Sequence, residues 1–465
     1  AAHRAVLESY FGASPQQHCA TCYAWAVVKT PRGRSPIRCS AGALQYGSCE
    51  QSGRELSDSA LPKASRALEI ALAGGGIGGI TAALCLARAG HAVTVFEQAD
   101  AFAESGAGVQ ISPNASRVLH ALGLEESLCS VGVLPEATEI RSWRNGRVIS
   151  RTPLGFTAQQ RYGAPYYHVH RGDLLQLLVE EASGLANVEL VLGRRVSTFK
   201  QDSTGVSVDL GDESRVFDAL IGADGIHSAV REHLWGDERP DFTGNMAWRM
   251  LVPVSVLPEG VIAPNATVWW GPGKHFVHYL VNAGRQVNCV CVVETQAWHP
   301  ESWTERGSLD ELKADFSGWH PTIQQLLGLA DESSLYKWGL FDRPPMQSWG
   351  QGKVSLLGDA CHPTLPFMAQ GAAMAIEDAA VLTNTLGSAD SVESALQCYE
   401  ALRKARAGGV QRGSRRNASV FHLSGIKAWL RDRAAARAGG RTMDKLYRYD
   451  PLSVGLSDRK KALLK

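Results

Sequence analysis

The tightest constraint on this chain is a run of glycines. The segment "LEIALAGGGIGGITAALCLARAGHAVTVFEQAD" sets Gly74, Gly76 and Gly79 in the spacing G-x-G-x-x-G. Leu68 to Ala73 reads as a buried strand, Gly78 to Arg88 as a helix, and Ala92 to Phe96 as a second strand closed by Glu97. In that order each glycine has a task. Gly74 permits the tight turn, Gly76 lets backbone amides approach a pyrophosphate, and Gly79 removes a side chain where helix and strand pack. A diphosphate belongs at the positive end of such a helix, and Glu97 is placed to accept hydrogen bonds from a ribose diol. The pattern predicts a dinucleotide-binding βαβ unit without saying which dinucleotide it takes.

Two further segments continue this logic. In "LLGDACHPTLPFMAQGAAMAIEDA", Val354 to Leu357 predicts a strand, Gly358 and Asp359 its turn, and Gly371 to Leu386 a helix, with prolines fixing the loop between them. Asp359 is placed to bind hydroxyls, and the amides at Gly371 and Ala372 to stabilise negative charge. Cys361 reads as a small buried residue, and His362 as a structural histidine held by loop hydrogen bonds. In "LIGADGIHSAVRE", Asp224 and Gly225 form a turn; Ser228 and Arg231 are expected to share a helical face with donors toward anions, with a surface Arg231 as the alternative.

Together, and in this order, the three segments resemble the signatures of the single-component FAD-dependent aromatic hydroxylases, which include salicylate and hydroxybenzoate hydroxylases. The likeness runs from about Leu68 to Pro451. It implies that Gly74, Gly76, Gly79 and Glu97 hold the adenosine diphosphate half of FAD. Arg171, in "YHVHRGDLLQLL", would lie near the FAD phosphates. Asp224 and Gly225 match a motif tied to the FAD diphosphate and to a passing nicotinamide cofactor. Gln110, in "GAGVQISPNASRVLHALGL", would accompany the ribityl chain, with Gly106 and Gly108 allowing close approach and Asn114 alternatively capping a helix over 115–122. Gly358 and Asp359 would bind the ribityl hydroxyls, and Gly371 and Ala372 the ring, beside Pro366.

The implied chemistry is that NADH or NADPH reduces FAD, oxygen adds at flavin C4a, and the hydroperoxide passes one oxygen atom to a ring carbon activated by a hydroxyl. The expected substrate is a small hydroxylated aromatic or heteroaromatic acid, with decarboxylation where the attacked carbon bears the carboxylate. A polyketide-like phenol or other secondary metabolite is an alternative, as is a non-catalytic FAD-binding redox protein.

Between the second and third motifs the period changes. "NMAWRMLVPV", "ATVWWGPGKHFVHYLV" and "RQVNCVCVV" predict strands; Ser308 followed by Glu311 predicts a capped helix, and another helix runs through Ile323 to Leu329. Such a sheet would roof the flavin with an apolar pocket whose polar handles are Arg249, His275, His278 and Tyr279. Alternation along a strand sets Trp248 opposite Arg249 and separates His278 from Tyr279. Arg249 is expected to pair with a carboxylate or phenolate, and His278 or Tyr279 to help deprotonate a phenol. Trp269 and Trp270 read as core.

The expected fold is therefore α/β: a Rossmann-like FAD-binding domain of the hydroxybenzoate hydroxylase type, with an inserted mixed α+β substrate domain. Residues 66–241 and 345–386 would form the FAD domain and 242–344 the substrate domain. Residues 387–465 would form a C-terminal helical region packing on the FAD domain, with helices over 392–406 and 418–437. Residues 1–65 lack a sustained period and read as a disordered extension. Lys and Arg total 47 against 46 Asp and Glu, so no single-sign field exists to hold nucleic acid. Ten scattered cysteines suit a reducing, cytoplasmic setting, and Cys19 and Cys22 lack the second pair that a metal knuckle needs. No apolar run is long enough for a membrane span. A homodimer remains open.

Overall fold

The computed structural model describes residues 61–102, 108–296, 306–439 and 443–456. The readings made on 1–60, on Cys19 and Cys22, and on Gly106 lie outside these residues. The last residues of the supposed extension belong to the core: Leu61 is buried, and the Ala64 amide donates to the Ala89 carbonyl at 2.8 Å, closing the first helix.

The central sheet has six strands in the order Gly350–Gln351, Val354–Leu356, Ala219–Gly222, Glu69–Ala73, Ala92–Phe96, Val188–Val191, and all but the first pair are parallel. Register sets Ala73 beside Gly222 and Gly222 beside Leu356, so the three motif loops leave adjacent strand ends. The glycine turn has no steric slack. Gly74 has φ 104°, and a Cβ on Gly79 would stand 2.0 Å from the Gly74 carbonyl oxygen. Helix Ile77–Ala89 packs against helix Gly371–Leu386 along small residues; a Cβ on Gly78 would already touch Ala375 at 3.0 Å.

A second sheet of seven strands runs in the order Tyr336–Asp342, Asp241–Pro253, Gln286–Glu294, Lys274–Val281, Asn265–Gly271, Ala137–Ser142, Val148–Pro153. Its last two strands fall inside the range expected for the FAD domain, so the boundary at 242 is too narrow for this layer. Asn265–Gly271 takes Ala137–Ser142 as a parallel neighbour, extending the sheet across the domain line. The sequence signal was Asn145-Gly146, a hairpin turn with Gly146 at φ 67°. On one face of this sheet, helices Leu309–Asp315 and Pro321–Gly328 bury Phe316, Ile323 and Leu326 against Trp248, Trp269 and Phe276. Ser308 caps the first of them, as expected.

The C-terminal region departs from the expected pair of helices. Val392–Phe421 is one continuous helix through Gly408, Gly409 and Gly413, followed by Gly425–Ala438. These glycines are not breaks. Gly413 sits on the loop Pro366–Met368, where a Cβ would come within 2.8 Å of the Met368 sulfur. The second helix packs along Val148–Pro153, so the region touches both layers rather than the FAD layer alone.

Candidate active site

Between the two sheets lies a cavity of about 350 Å3. The first motif contributes Gly76, the second Gly225, and the third Gly358, Asp359, Pro366, Gly371 and Ala372. Gln110 reaches it from strand Gly108–Ile111, and Arg171 from the first position of helix Arg171–Ser183. The second sheet adds Arg249, His275 and Tyr279. Gly74, Gly79, Glu97 and Asp224 support this wall without forming it, and His278 stands outside it.

The wall suits a dinucleotide. No atom lies within 4 Å of a Cβ built on Gly76, so the amide end of helix Ile77–Ala89 opens onto free space. Gly371 and Ala372 bring a second helix N-terminus to the same cavity, and the first amides of a helix have no partner within it. Asp359 is open to the cavity, with protein packed around the rest of its carboxyl. Burial raises its carboxyl above the usual range, with His362 and Arg171 pulling it back. A carboxylate so placed calls for hydroxyl donors. Asp224 is half-buried: its Oδ2 accepts from the Val230 amide at 3.2 Å while its buried Oδ1 has no hydrogen-bond partner among the described residues, and desolvation raises this carboxyl too.

Other predicted residues are tied to the scaffold. Glu97 accepts from the Gly75 amide at 2.8 Å with one oxygen and from the Ala99 amide at 2.9 Å with the other, which fixes the glycine loop. The Tyr166 hydroxyl donates to Gln110 Oε1 at 2.6 Å. Asn114 does not cap its helix, which spans Pro113–Ala121 with Ser112 as its N-cap residue. Its amide instead donates to Glu377 at 2.5 Å and to Gln370 at 3.2 Å. Arg231 is neither an anion donor nor a surface residue. It is buried and donates to the carbonyls of Ile226 at 2.7 Å and Ala360 at 3.1 Å, joining the second motif to the third.

The third motif is held by a buried ionic network. His362 Nε2 lies 2.6 Å from Asp378 Oδ2, which also accepts from the Gly358 amide at 3.1 Å. Arg403 donates to Asp378 at 2.6 Å and to Glu377 at 2.5 Å, and Arg406 also pairs with Glu377. Burial opposes the charge on Asp378, but His362 and Arg403 outweigh it and bring its carboxyl down to about 2. From the long helix, Gln411, Ser414 and Asn417 donate to the carbonyls of Pro363, Leu365 and Phe367 at 3.1, 2.5 and 3.3 Å. His362 is structural, as expected, and Cys361 is buried with its thiol pushed up by burial. Arg403 is not marked by any of the three motifs. The signal for it was two adjacent acids, Glu377 and Asp378, in a helix otherwise built of small and apolar residues, since buried carboxylates need cations.

On the roof, Arg249 stacks over Trp338, its guanidinium carbon 4.5 Å from the ring centroid. Trp248 points the other way and donates to Asp315 at 2.9 Å, as strand alternation required. Tyr279 closes against Gly108, where a Cβ would meet its ring at 2.6 Å. Burial pushes its phenol up, with Arg249 opposing, so it remains a neutral donor at ordinary pH. His278 lies on the opposite strand face, 6.2 and 6.3 Å from the rings of Trp269 and Phe276. Burial, aided by Arg141, lowers it to about 3, but it is its place off the cavity wall that removes it as an acid–base candidate, since burial lowers His275 as well. His275, on the cavity face, takes its place.

Three adjacent parallel-strand ends and two helix N-termini around one cavity, roofed by a second sheet, define an FAD-dependent oxidoreductase with the hydroxybenzoate hydroxylase type of fold. Residues 67–414 match the family described as an FAD binding domain, and the chain belongs to that family. It is 41% identical over 373 residues to 3-amino-4-hydroxybenzoate 2-monooxygenase PtmB3 of Streptomyces platensis, covering 79% of this chain and 92% of that one. It is 39% identical to 6-hydroxynicotinate 3-monooxygenase of Bordetella bronchiseptica, covering 75% and 91%. The crystal structure of Klebsiella pneumoniae HpxO with FAD and uric acid superposes with a TM-score of 0.74 at 27% identity, covering 83% of this chain and 98% of that one. The protein is thus an FAD-dependent monooxygenase. Among the described residues, no helix is long and apolar enough to cross a membrane, and no group of three or more His, Cys, Asp or Glu is arranged to hold a metal ion.

Proposed function

We propose that this enzyme inserts one atom of O2 into the ring of a small hydroxylated aromatic or heteroaromatic carboxylate, with NADH or NADPH as reductant. The observation that carries the reading is Arg249, a guanidinium stacked on Trp338 in a cavity whose neighbouring wall is Ala247, Val277, Val290 and Leu340. Apolar residues suit the faces of a planar ring, and a planar cation suits a carboxylate at its edge. The relatives' names support this, since 3-amino-4-hydroxybenzoate and 6-hydroxynicotinate both combine a ring hydroxyl with a carboxylate.

Bound FAD supplies the electron transfer and the activation of oxygen. The chain's own residues do the rest. Gly76 and Arg171 hold the phosphates, and Asp359 and Gln110 the hydroxylated linker. The helix opening at Gly371 and Ala372 favours negative charge on the ring beside Pro366. Arg249 orients the substrate by its carboxylate, Tyr279 donates to its hydroxyl oxygen, and the apolar roof excludes water.

The test is a panel of hydroxybenzoates, aminohydroxybenzoates and hydroxynicotinates offered to the purified holoenzyme, with NAD(P)H loss and product mass both recorded. One member should stimulate NAD(P)H oxidation and gain oxygen in near-equal amounts. If only phenols lacking a carboxylate were oxygenated, the role given to Arg249 would fall.

A further inference from the structure

Behind the cavity wall, a line of three titratable side chains leads to the surface. His275 lines the cavity, and its Nδ1 lies 2.8 Å from Nε2 of His422, the residue that closes helix Val392–Phe421. Nδ1 of His422 lies 2.8 Å from Oε1 of Glu294, the last residue of strand Gln286–Glu294. Both rings are buried, while the Glu294 side chain is 52% exposed and opens into a surface groove beside Asn245 and Arg415. Phe367 and Phe421 flank the His275 ring at 5.2 and 5.4 Å, so apolar surface lines the polar path.

With Glu294 ionised and both rings neutral, one proton arrangement satisfies both bonds. His422 Nδ1–H donates to the carboxylate, His275 Nδ1–H donates to His422 Nε2, and His275 Nε2 keeps a lone pair. Burial favours the neutral rings: it lowers His275, with His422 adding to the effect, and it lowers His422 against the opposing pull of Glu294. The other charged groups facing the line are Arg431, itself paired with Asp432 and unfavourable to a protonated His422, and Arg249 with Tyr279 at the cavity end.

We propose that His275, His422 and Glu294 form a proton relay that takes the proton of the substrate hydroxyl out of the cavity to solvent and returns one to the product. The proposal rests on the hydroxylated substrate of the preceding section. On the outward pass, the substrate O–H bond breaks and its proton binds His275 Nε2. The proton on His275 Nδ1 moves to His422 Nε2, the proton on His422 Nδ1 moves to Glu294, and Glu294 releases it to water. No electrons change hands, and the substrate is left as an oxyanion that accepts from the Tyr279 hydroxyl, with a more electron-rich ring. The inward pass protonates the product oxyanion and restores both tautomers, so each turnover resets the line. His275 is the catalytic group in this scheme; His422 and Glu294 act through it as positioning and relay residues.

The test uses oxidised, FAD-loaded full-length protein, so no turnover is needed. It is mixed rapidly with 4-hydroxybenzoate or 6-hydroxynicotinate in weakly buffered solution containing a pH-indicator dye. Wild type should release a proton as the ultraviolet band of the bound anion appears. His422→Gln and Glu294→Gln should slow that release on the order of tenfold or more, while the flavin absorbance change that reports binding keeps its rate. Imidazole should restore fast release to His422→Ala. A packing role alone would lower the melting temperature and leave the release rate unchanged, which would overturn the relay. If neither compound perturbs the flavin spectrum, it is the substrate reading that fails for them, and the relay is then decided without ligand. Nitrogen-15 NMR of histidine-labelled protein should show both rings as neutral Nδ1–H tautomers, and a proton on Nε2 of either ring at neutral pH would refute the arrangement.

Discussion

Gly76 and Asp359 stand at the wall of one cavity although they belong to opposite ends of the dinucleotide-binding layer in sequence. The parallel register is the cause. Ala73, Gly222 and Leu356 are lateral neighbours, so the loops that follow them emerge side by side. Neither loop is a site alone: the first offers amides and no carboxylate, and the third offers a carboxylate and a second helix N-terminus. Ligands of open α/β sheets bind outside such carboxyl ends of strands.

Replacing Asp359 tests that arrangement directly. Its carboxylate faces the cavity at the cost of desolvation, so a ligand that donates hydroxyl hydrogens should recover that cost. Asp359→Ala should raise the dissociation constant for FAD by roughly ten- to a hundredfold, from about 1.5–3 kcal/mol for hydrogen bonds to a charged group. Flavin fluorescence titration of the apoprotein, with circular dichroism to confirm folding, measures it. Unchanged affinity in a folded variant would remove Asp359 from the site.

Asp378 should matter for a different reason, because it does not line the cavity yet holds the loop that does. Asp378→Asn leaves the buried Arg403 and His362 facing a neutral amide, a change expected to destabilise by about 3 kcal/mol. The wild-type carboxyl titrates near 2 instead of 3.8, so its contribution is present above about pH 4 and is lost as pH falls toward 2. Thermal melts of wild type and variant should accordingly lie apart at neutral pH and converge in acid. A gap that stayed constant into acid would argue that the charge on Asp378 is not what holds the loop.

The dinucleotide half of the protein was legible because its motifs are local. A turn that admits only glycine, a strand before it and a helix after it all fall within one short window, and helix Gly371–Leu386 begins and ends where its residue pattern predicts. What escaped was long-range. Strands Ala137–Ser142 and Val148–Pro153 join the second sheet through a parallel neighbour more than a hundred residues later, and alternation within a strand does not name its partner. The continuous helix through Gly408, Gly409 and Gly413 escaped for a related reason. Those glycines cost helix propensity; Gly408 and Gly413 offset it by tertiary packing against Pro345 and Met368, while nothing lies within 4 Å of a Cβ on Gly409. At the roof, alternation correctly divided His278 from Tyr279 but did not say which faced inward.

Arg249 makes a prediction about selectivity. Arg249→Met keeps the length and apolar stem of the side chain and removes the charge, so affinity for a hydroxylated aromatic carboxylate should fall by about a hundredfold. Affinity for the matching phenol without the carboxylate should change little. Arg249→Lys should recover only part of the loss, because a compact ammonium neither stacks flat on Trp338 nor forms a bidentate pair. Ligand titrations followed by flavin absorbance distinguish these outcomes, and equal losses for both ligands would point to a general packing role.

Tyr279 and His278 are adjacent in sequence and should separate completely in behaviour. Tyr279→Phe removes a donor in the cavity and should lower kcat/KM by about a hundredfold or more. His278→Leu replaces a ring whose two nitrogens have no hydrogen-bond partner among the described residues, so it should leave the kinetics near wild type and stability at neutral pH equal or higher. Its signature is in the pH dependence. In the unfolded chain His278 protonates near 6.5, whereas in the native protein burial holds it near 3. Below about pH 6.5 the unfolded state therefore gains a proton that the native state refuses, and native stability falls by about 1.4 kcal/mol per pH unit, or roughly 2 kcal/mol by pH 5. His278→Leu should remove its share of that slope and lessen the fall in melting temperature between neutral pH and 5, with His275, lowered by burial as well, continuing to contribute. His168, also lowered to about 3 by burial, should leave a residual slope in the variant. If His278→Leu instead abolished turnover while melting like wild type at every pH, the ring would have to face the cavity, and the strand register that turns Tyr279 inward would be wrong.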